Sequence, residues 1–444
     1  MNNKSRLLSV VMCLCALFVT PSFALDLTLA DAVEKIAHES HDLKKANANV
    51  KKAEASLDAA NANRWFQLEG TASYMNLVNV ERPLDSRNFK LPPELGGLLP
   101  EALKDKDISF EIPDNIFMAG LSLTQPLYTF GKIGNAVKGV KSAIKMAESS
   151  QELTRREVAY AAANLYWTAK MTDEIVKLSE SDLKNARNAR KRLTAAGRAN
   201  RSNLVKIESD IASKEINLSD AKFNRDTAHR MLKIMAGIDL DEELVLTDSF
   251  PAKFGELNAP AKLENTPEWD ILSEQVNMYE RMARAERANG YPTLAATAGY
   301  SYYGMSTEID GMFDTKGAQS ANVGLALQVP IFSGGLNRAN ATIEAMNAVA
   351  AREDLEKSKK LTSEKYDNAV KQYNHLRGNL SKLQEARDLA AKAYQFSQDR
   401  FGAGQTSAVE LADVAAGLYQ LDVALLNMKY NILMSEQSVK KLGE

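Results

Sequence analysis

Four short stretches of the chain alternate apolar with small or polar residues at a period of two. In 66–77, Phe66, Leu68, Ala72 and Tyr74 share one face, and Gln67, Glu69, Thr71 and Ser73 share the other. In 117–125, Phe117, Ala119, Leu121 and Leu123 oppose Met118, Gly120, Ser122 and Thr124. In 293–303, Leu294, Ala296, Ala298, Tyr300 and Tyr302 oppose Thr293, Thr297, Gly299 and Ser301. In 321–329, Ala321, Val323, Leu325, Leu327 and Val329 oppose Asn322, Gly324, Ala326 and Gln328. This spacing predicts β-strands. At roughly ten residues each they are long enough to cross a bilayer at a tilt. One apolar and one polar face is what a wall between lipid and a wet lumen requires.

Between the strands the period changes to that of helices, predicted over 29–63, 132–193, 202–235, 267–288, 336–400 and 407–441. Thr28 and Asp31 fit an N-cap and its third helical position. Stepping by three and four from Leu204 gives Ile207, Ile211, Lys214, Leu218, Ala221, Arg225, Ala228, Leu232 and Met235. The last helix reads Leu411, Val414, Leu418, Leu421, Leu425, Met428, Ile432, Ser435, Val439 and Leu442. These are coiled-coil seams. Alone they would also suit a structural coiled-coil rod, or a periplasmic adaptor with a helical hairpin. A rod leaves the four alternating strands unexplained, and an adaptor needs domains of many short strands that the pattern lacks.

Aromatic residues sit at all four places where strand meets helix: Trp65 and Phe66, Tyr128 and Phe130, Tyr291, and Phe332. Such positions suit the interfacial girdle of a membrane barrel. Two junctions also share a longer pattern, Ala119-Gly-Leu-Ser-Leu-Thr-Gln-Pro-Leu-Tyr-Thr-Phe-Gly131 and Val323-Gly-Leu-Ala-Leu-Gln-Val-Pro-Ile-Phe-Ser-Gly-Gly335. Pro126 matches Pro330 and Gly131 matches Gly335, while upstream Tyr74 matches Tyr300. One unit of helix, strand, loop, strand and two helices therefore occurs twice, over 25–235 and 266–444. Residues 236–265 are expected to be an irregular link. The loop 78–116 of the first unit is the longer of the two and is expected to be extracellular. Four strands cannot close a barrel, and open edges are not tolerated in lipid. If they span a membrane, copies must associate; two would supply eight strands and three would supply twelve.

Composition narrows the compartment. Both cysteines, Cys13 and Cys15, lie in an N-terminal stretch with Lys4 and Arg6, an apolar run from Leu7 to Val19, and Ser22-Phe23-Ala24. That is the layout of a signal peptide over 1–24. Its removal would leave a chain without thiols and, with Lys4 and Arg6 gone, move the net charge from −2 to −4. A charge so near zero makes no electrostatic case for nucleic acid. No catalytic motif is present, so neither enzyme activity nor a cofactor is expected. His38 and His41 lie near Glu34 and Asp42, but a solvated helix surface is the better reading than a metal site, and His229 and His375 have no ligand-spaced neighbour.

The two proline-containing junctions, their order and their duplication resemble the TolC-like outer-membrane efflux proteins across the whole mature chain. The resemblance implies a mainly α fold with a small transmembrane β part: a homotrimer whose twelve-stranded barrel, four strands per chain, continues into a long periplasmic helical barrel. The location implied is the outer membrane with a periplasmic extension, in contact with lipid. The implied function is a passive exit duct in tripartite efflux or type I secretion. The implied partners are a periplasmic adaptor (membrane fusion protein) and an inner-membrane pump of RND or ABC type. In such proteins the turn after the fifth long helical pattern forms the closed periplasmic tip. Here it contains Gly402, Gly404, Gln405 and Thr406, and aligning Gly404 puts Glu410 and Asp413 on the acidic ring positions. Ser407 and Glu410 also fit a capping box, a purely structural role for Glu410. Some relatives carry an arginine at the position of Thr406. The first unit's turn is basic, with Gly197, Arg198 and Arg201. The resemblance makes both turns adaptor-docking elements, and simple solvation would also explain the basic run.

Overall fold

The computed structural model describes residues 25–78, 115–195, 201–258, 263, 266–306, 309 and 318–443. The expected signal peptide, nearly all of the long first loop, and Gly197 and Arg198 lie outside the described residues. In chain order the elements are β1 (Leu25–Leu27), α1 (Leu29–Glu39), α2 (His41–Ala62), β2 (Gln67–Asn76), β3 (Asn115–Tyr128), α3 (Lys132–Ala195) and α4 (Arg201–Ala236). Then follow β4 (Leu244–Leu246), α5 (Pro267–Ala288), β5 (Thr293–Ser306), β6 (Ala318–Gln328), α6 (Leu336–Ala403) and α7 (Ala408–Gly443). No described helix is long and apolar enough to cross a membrane. The chain forms two compact units, one of 53–143 with 275–350 and one of the remainder. Both draw on each half of the sequence.

The first of these units is built on an antiparallel sheet in the order β2-β3-β5-β6. Its register aligns the apolar rows of all four strands. Leu68 lies opposite Leu123, Tyr74 opposite Phe117, Leu121 opposite Tyr300, and Leu294 opposite Leu327. The small and polar rows align in the same way, with Glu69 opposite Ser122, Ser122 opposite Gly299, and Gly299 opposite Asn322. A slip of one residue anywhere would mix the two faces. The apolar face lies open, with Val323 at 89% exposure. β3 continues three residues beyond the predicted 117–125, past Pro126, where the register shifts between Pro126 and Tyr128. Proline cannot donate to a ladder, which accounts for an irregularity there.

The repeat survives in atomic detail. Shifting β2 forward by 226, as from Tyr74 to Tyr300, and β3 by 204, as from Gly120 to Gly324, carries all ten β2–β3 pairs onto β5–β6 pairs. The same shifts turn the hydrogen bond from Tyr74 Oη to Asn115 (2.7 Å) into the one from Tyr300 Oη to Gln319 (3.1 Å). The helix starts also match. Gly131 and Gly335 both have φ +83°, and the preceding Phe130 and Gly334 have φ 48° and 62°. The amides of Lys132 and Leu336 donate to Thr129 and Ser333, and those of Asn135 and Ala339 to Gly131 and Gly335. Two left-handed residues in succession turn each strand into its helix, a conformation that costs an L-residue about 1–2 kcal/mol.

The second unit has a separate core. Contrary to the expected irregular link, 236–265 contains β4, which pairs in parallel with β1. Around this ribbon pack Ile36 of α1, Tyr166 and Trp167 of α3, Leu232 of α4, and Leu433 and Met434 of α7. Tyr166 is fully buried, donates to the Leu27 carbonyl (3.1 Å) and accepts from the Asp248 amide (3.2 Å). Burial pushes its phenol pKa upward, so it stays neutral. The buried Lys170 donates to the Leu246 carbonyl at 2.8 Å. The helix predicted over 29–63 breaks at Ser40. Its amide closes α1 on Ile36, and its hydroxyl accepts from the Leu43 amide at the start of α2. Thr28 and Asp31 form the expected cap, completed as a reciprocal capping box.

A Cβ at Gly335 would meet no other atom within 4 Å. Gly335→Ala is therefore expected to lower stability by about 1–2 kcal/mol through backbone strain alone. Denaturant unfolding followed by circular dichroism measures it; an unchanged midpoint would contradict the assignment.

Candidate functional site

The ends of the two helical hairpins, α3–α4 and α6–α7, meet in one apolar cluster. Leu183, Ala186 and Leu193 come from α3, and Ile207 and Ile211 from α4. Phe401 comes from α6, and Ala408 and Leu411 from α7. Ile207, Ile211 and Leu411 are positions of the two predicted seams; the α3 and α6 residues and Ala408 lie outside them. Along α4 the expected seam is buried or half-buried from Leu204 to Leu232. It ends one residue off expectation: Ala236 is buried and Met235 is exposed. α7 is covered more widely than one seam predicts, since Leu426, Leu433 and Met434 are also buried.

The α6–α7 turn is shaped by Gly404, at φ +76°. The Gln405 amide donates to the Arg400 carbonyl at 2.8 Å, which closes the end of α6. Ser407 caps α7 as expected, accepting from the Glu410 amide at 3.2 Å. The Glu410 carboxylate goes elsewhere: it takes the Thr406 hydroxyl and lies 3.8 Å from Arg400. Arg400 also donates to the Gln405 carbonyl at 3.4 Å. The acid thus draws its cation from the preceding helix. Asp413 is exposed, one turn along from Glu410. In the other hairpin the described basic residues are partly committed, since Arg190 pairs with Glu208 at 3.2 Å. Arg201 begins α4 and is exposed.

Behind these turns lies a charged group that sequence reasoning placed in an apolar seam. Lys214 is 6% exposed and pairs with Asp182 of α3 at 2.6 Å and with Asp210 at 3.8 Å. Asp182, Asp210, Lys214 and Tyr394 line a small pocket floored by Ala408, Ala412 and Ala415 of α7. Burial raises the Asp210 pKa, with Asp182 and Asp413 adding repulsion and Lys214 and Lys206 opposing it. Burial also raises that of Tyr394, helped by Asp182 and Asp210 and opposed by Arg192. A lysine on a heptad seam flanked by Asp210 four residues earlier was the available signal. Its partner Asp182 is 32 residues away and not visible from spacing. Further contacts tie α3 to α4: the ion pairs of Glu180 with Lys222 (3.2 Å) and Arg187 with Glu215 (2.7 Å), and a hydrogen bond between Asp173 and His229 (2.9 Å).

Trp65, Phe66, Tyr128, Phe130, Tyr291 and Phe332 are all exposed, Phe332 to 90%. Phe130 stacks edge-on against Tyr128 at 4.6 Å and lies 6.0 Å from Tyr291. Pro330 follows β6 as Pro126 ends the regular part of β3. His38 meets Glu39 at 2.9 Å, and the break at Ser40 puts His41 on the next helix.

Comparison with known proteins gives a consistent result. The family model described as "Outer membrane efflux protein" matches residues 32–237 and 263–443. The probable outer membrane lipoprotein SilC of Salmonella typhimurium is 20% identical over 436 residues, covering 94% of this chain and 85% of SilC. The alkaline protease secretion protein AprF of Pseudomonas aeruginosa is 24% identical over 336 residues, covering 71% of this chain and 67% of AprF. The open-state MtrE outer membrane channel of Neisseria gonorrhoeae superposes with a TM-score of 0.76 at 16% identity, covering 94% of this chain and 88% of MtrE.

Breaking the buried pair should be costly. Asp182→Asn leaves the Lys214 ammonium buried with only its longer-range partner, and should cost about 3–5 kcal/mol. The double change Asp182→Leu with Lys214→Met should recover part of that loss: no buried ammonium remains, but Asp210 loses the cation 3.8 Å away. Asp210 binds its proton more tightly folded than unfolded, so its contribution weakens as pH rises from the unfolded value of 3.8 through the raised folded one. Asp210→Asn should flatten that part of the stability–pH curve. Unfolding midpoints of the variants between pH 4 and 7 test all three expectations.

Proposed function

The chain belongs to the outer membrane efflux protein family, and from that premise we propose that three copies close its sheet into a twelve-stranded barrel opening onto a periplasmic helical duct. It is an outer-membrane channel protein of efflux or secretion, with a periplasmic extension. The observation that carries association between copies is the four-stranded sheet. Its continuous apolar face suits lipid, its polar face suits water, and no further strand covers β2 or β6 among the described residues. Backbone groups on such edges must find partners inside a bilayer, and copies of the same chain supply them. Three copies follow the resemblance; two would give eight strands.

The duct is passive, with energy supplied by an inner-membrane pump through a periplasmic adaptor. The pump is of the RND or ABC type. AprF is by its name a secretion protein, so type I secretion stands beside efflux as the transport carried out. The two hairpin turns, including Arg201, Gly402, Gly404, Gln405 and Thr406, are the adaptor-docking elements. Exposed turns joined to a firm apolar cluster can be gripped without unfolding the helices behind them.

Glu410 and Asp413 form the periplasmic gate. One carboxylate of each kind per copy gathers six acids around the axis of a trimer, which favours cations and makes closure sensitive to charge. Arg400 lies near Glu410 and offsets part of that charge.

Two measurements test this reading. The protein should fractionate with the outer membrane and migrate as a heat-sensitive trimer in unheated detergent gels; a freely soluble monomer would overturn it. Glu410→Ala combined with Asp413→Ala should raise single-channel conductance and weaken cation preference. If both stay at the wild-type level, the acids are not the gate.

A further inference from the structure

The internal repeat specifies how one copy joins the next, residue by residue. Two shifts, 226 for β2 to β5 and 204 for β3 to β6, reproduce the second hairpin's register from the first over all ten pairs. The chain contains one more seam, β3–β5, where the first repeat meets the second. Its counterpart would lie where the second repeat meets the first repeat of another copy. Advancing β3 by 204 gives β6, and setting β5 back by 226 gives β2.

We propose that β6 of one copy pairs antiparallel with β2 of the next in the register this operation dictates: Leu325 opposite Tyr74, Leu327 opposite Ala72, Ala326 opposite Ser73, and Gln328 opposite Thr71. These are the images of Leu121–Tyr300, Leu123–Ala298, Ser122–Gly299 and Thr124–Thr297. The proposal rests on the closed-sheet reading above and goes beyond it by fixing the seam. Its partner is a second copy of this chain.

Three features agree with this pairing, the first on the parity of the register, the second on strand direction and the third on the helices that the same shifts bring together. First, it sets apolar residues opposite apolar residues and small or polar ones opposite each other, so both faces stay continuous across the seam. Second, β2 and β6 are the two outer strands of the sheet and run in opposite directions, as antiparallel closure requires. Third, the helices agree in volume. At the β3–β5 seam the helices below also pack together: a Cβ at Gly139 of α3 would lie 3.1 Å from the end of Met282 of α5 and 3.6 Å from Arg281. The same shifts place Ile343 of α6 against Ser56 and Ala55 of the next copy's α2. Small against large becomes large against small, so a similar total volume fills the seam. Ile343 is 56% exposed in the single chain, where such contact would cover it.

Disulfide trapping reads the register directly, because a bridge forms only when Cα atoms lie within about 7 Å. Diagonal neighbours two residues off lie about 7–8 Å apart. Cys13 and Cys15 are the natural cysteines, so after loss of 1–24 only the introduced pair remains. Chains carrying Ser73→Cys with Ala326→Cys, or Thr71→Cys with Gln328→Cys, would be oxidised in isolated outer membranes and run on denaturing, non-reducing gels. Covalent trimer should exceed that of the slipped pairs Ser73→Cys with Gln328→Cys and Thr71→Cys with Ala326→Cys by about tenfold. Ser56→Cys with Ile343→Cys provides a third reading outside the strands. Heat-sensitive trimers that cross-link best through the slipped pairs would overturn the register and leave the trimer standing. Absence of any heat-sensitive oligomer, in the unmodified chain too, would overturn the trimer and the register with it.

Discussion

Inside hydrocarbon each backbone N–H or C=O without a partner costs several kcal/mol, and the outer edges of β2 and β6 present whole rows of them. The rest of the sheet-bearing unit is organised around that demand. The strands are long enough to span a bilayer, their apolar residues share one face, and aromatic side chains mark the ends. The left-handed pairs Phe130–Gly131 and Gly334–Gly335 turn each outgoing strand into its helix without a loop that would leave amides unpaired. In the first pair a phenylalanine holds a backbone angle that favours glycine. Its ring lies against those of Tyr128 and Tyr291.

The helical unit answers to a different constraint. Many of its buried residues are alanines, and it relies on seams, on a core around the β1–β4 ribbon, and on ion pairs strung between α3 and α4. The buried Lys214 stands out, because a methionine of similar length would fill the same space without desolvating a charge. Paired with Asp182 and Asp210, Lys214 ties α3 to α4 at one position along their length.

Much of this was legible in the sequence for physical reasons. Strands with one apolar and one small or polar face carry a clear alternation, and the long seams repeat often enough to average out exceptions such as Arg225. The repeat made the junction residues recognisable at both sites. The parts that were not legible depend on partners distant in sequence or on single residues. Leu25–Leu27 and Leu244–Leu246 are too short to show a period. Ser40 breaks a helix inside an otherwise continuous pattern. At the turn, Ser407 was readable as a cap, whereas the turning of Glu410 towards Thr406 and Arg400 depends on how the chain folds back on itself.

The ribbon of β1 and β4 also bears on the order in which the molecule forms. Leu29 and Asp248, joined by a hydrogen bond, are 219 residues apart, and Tyr166, between them in sequence, joins Leu27 of β1 to Asp248 just after β4. A chain that emerges from its N-terminal end must therefore wait for more than half its length before Leu25–Leu27 can settle. Contacts so distant along the chain slow folding, because a large loop must close before they form. The opening segment is thus made early and locked late, and in that interval the emerging polypeptide needs protection from association with its neighbours.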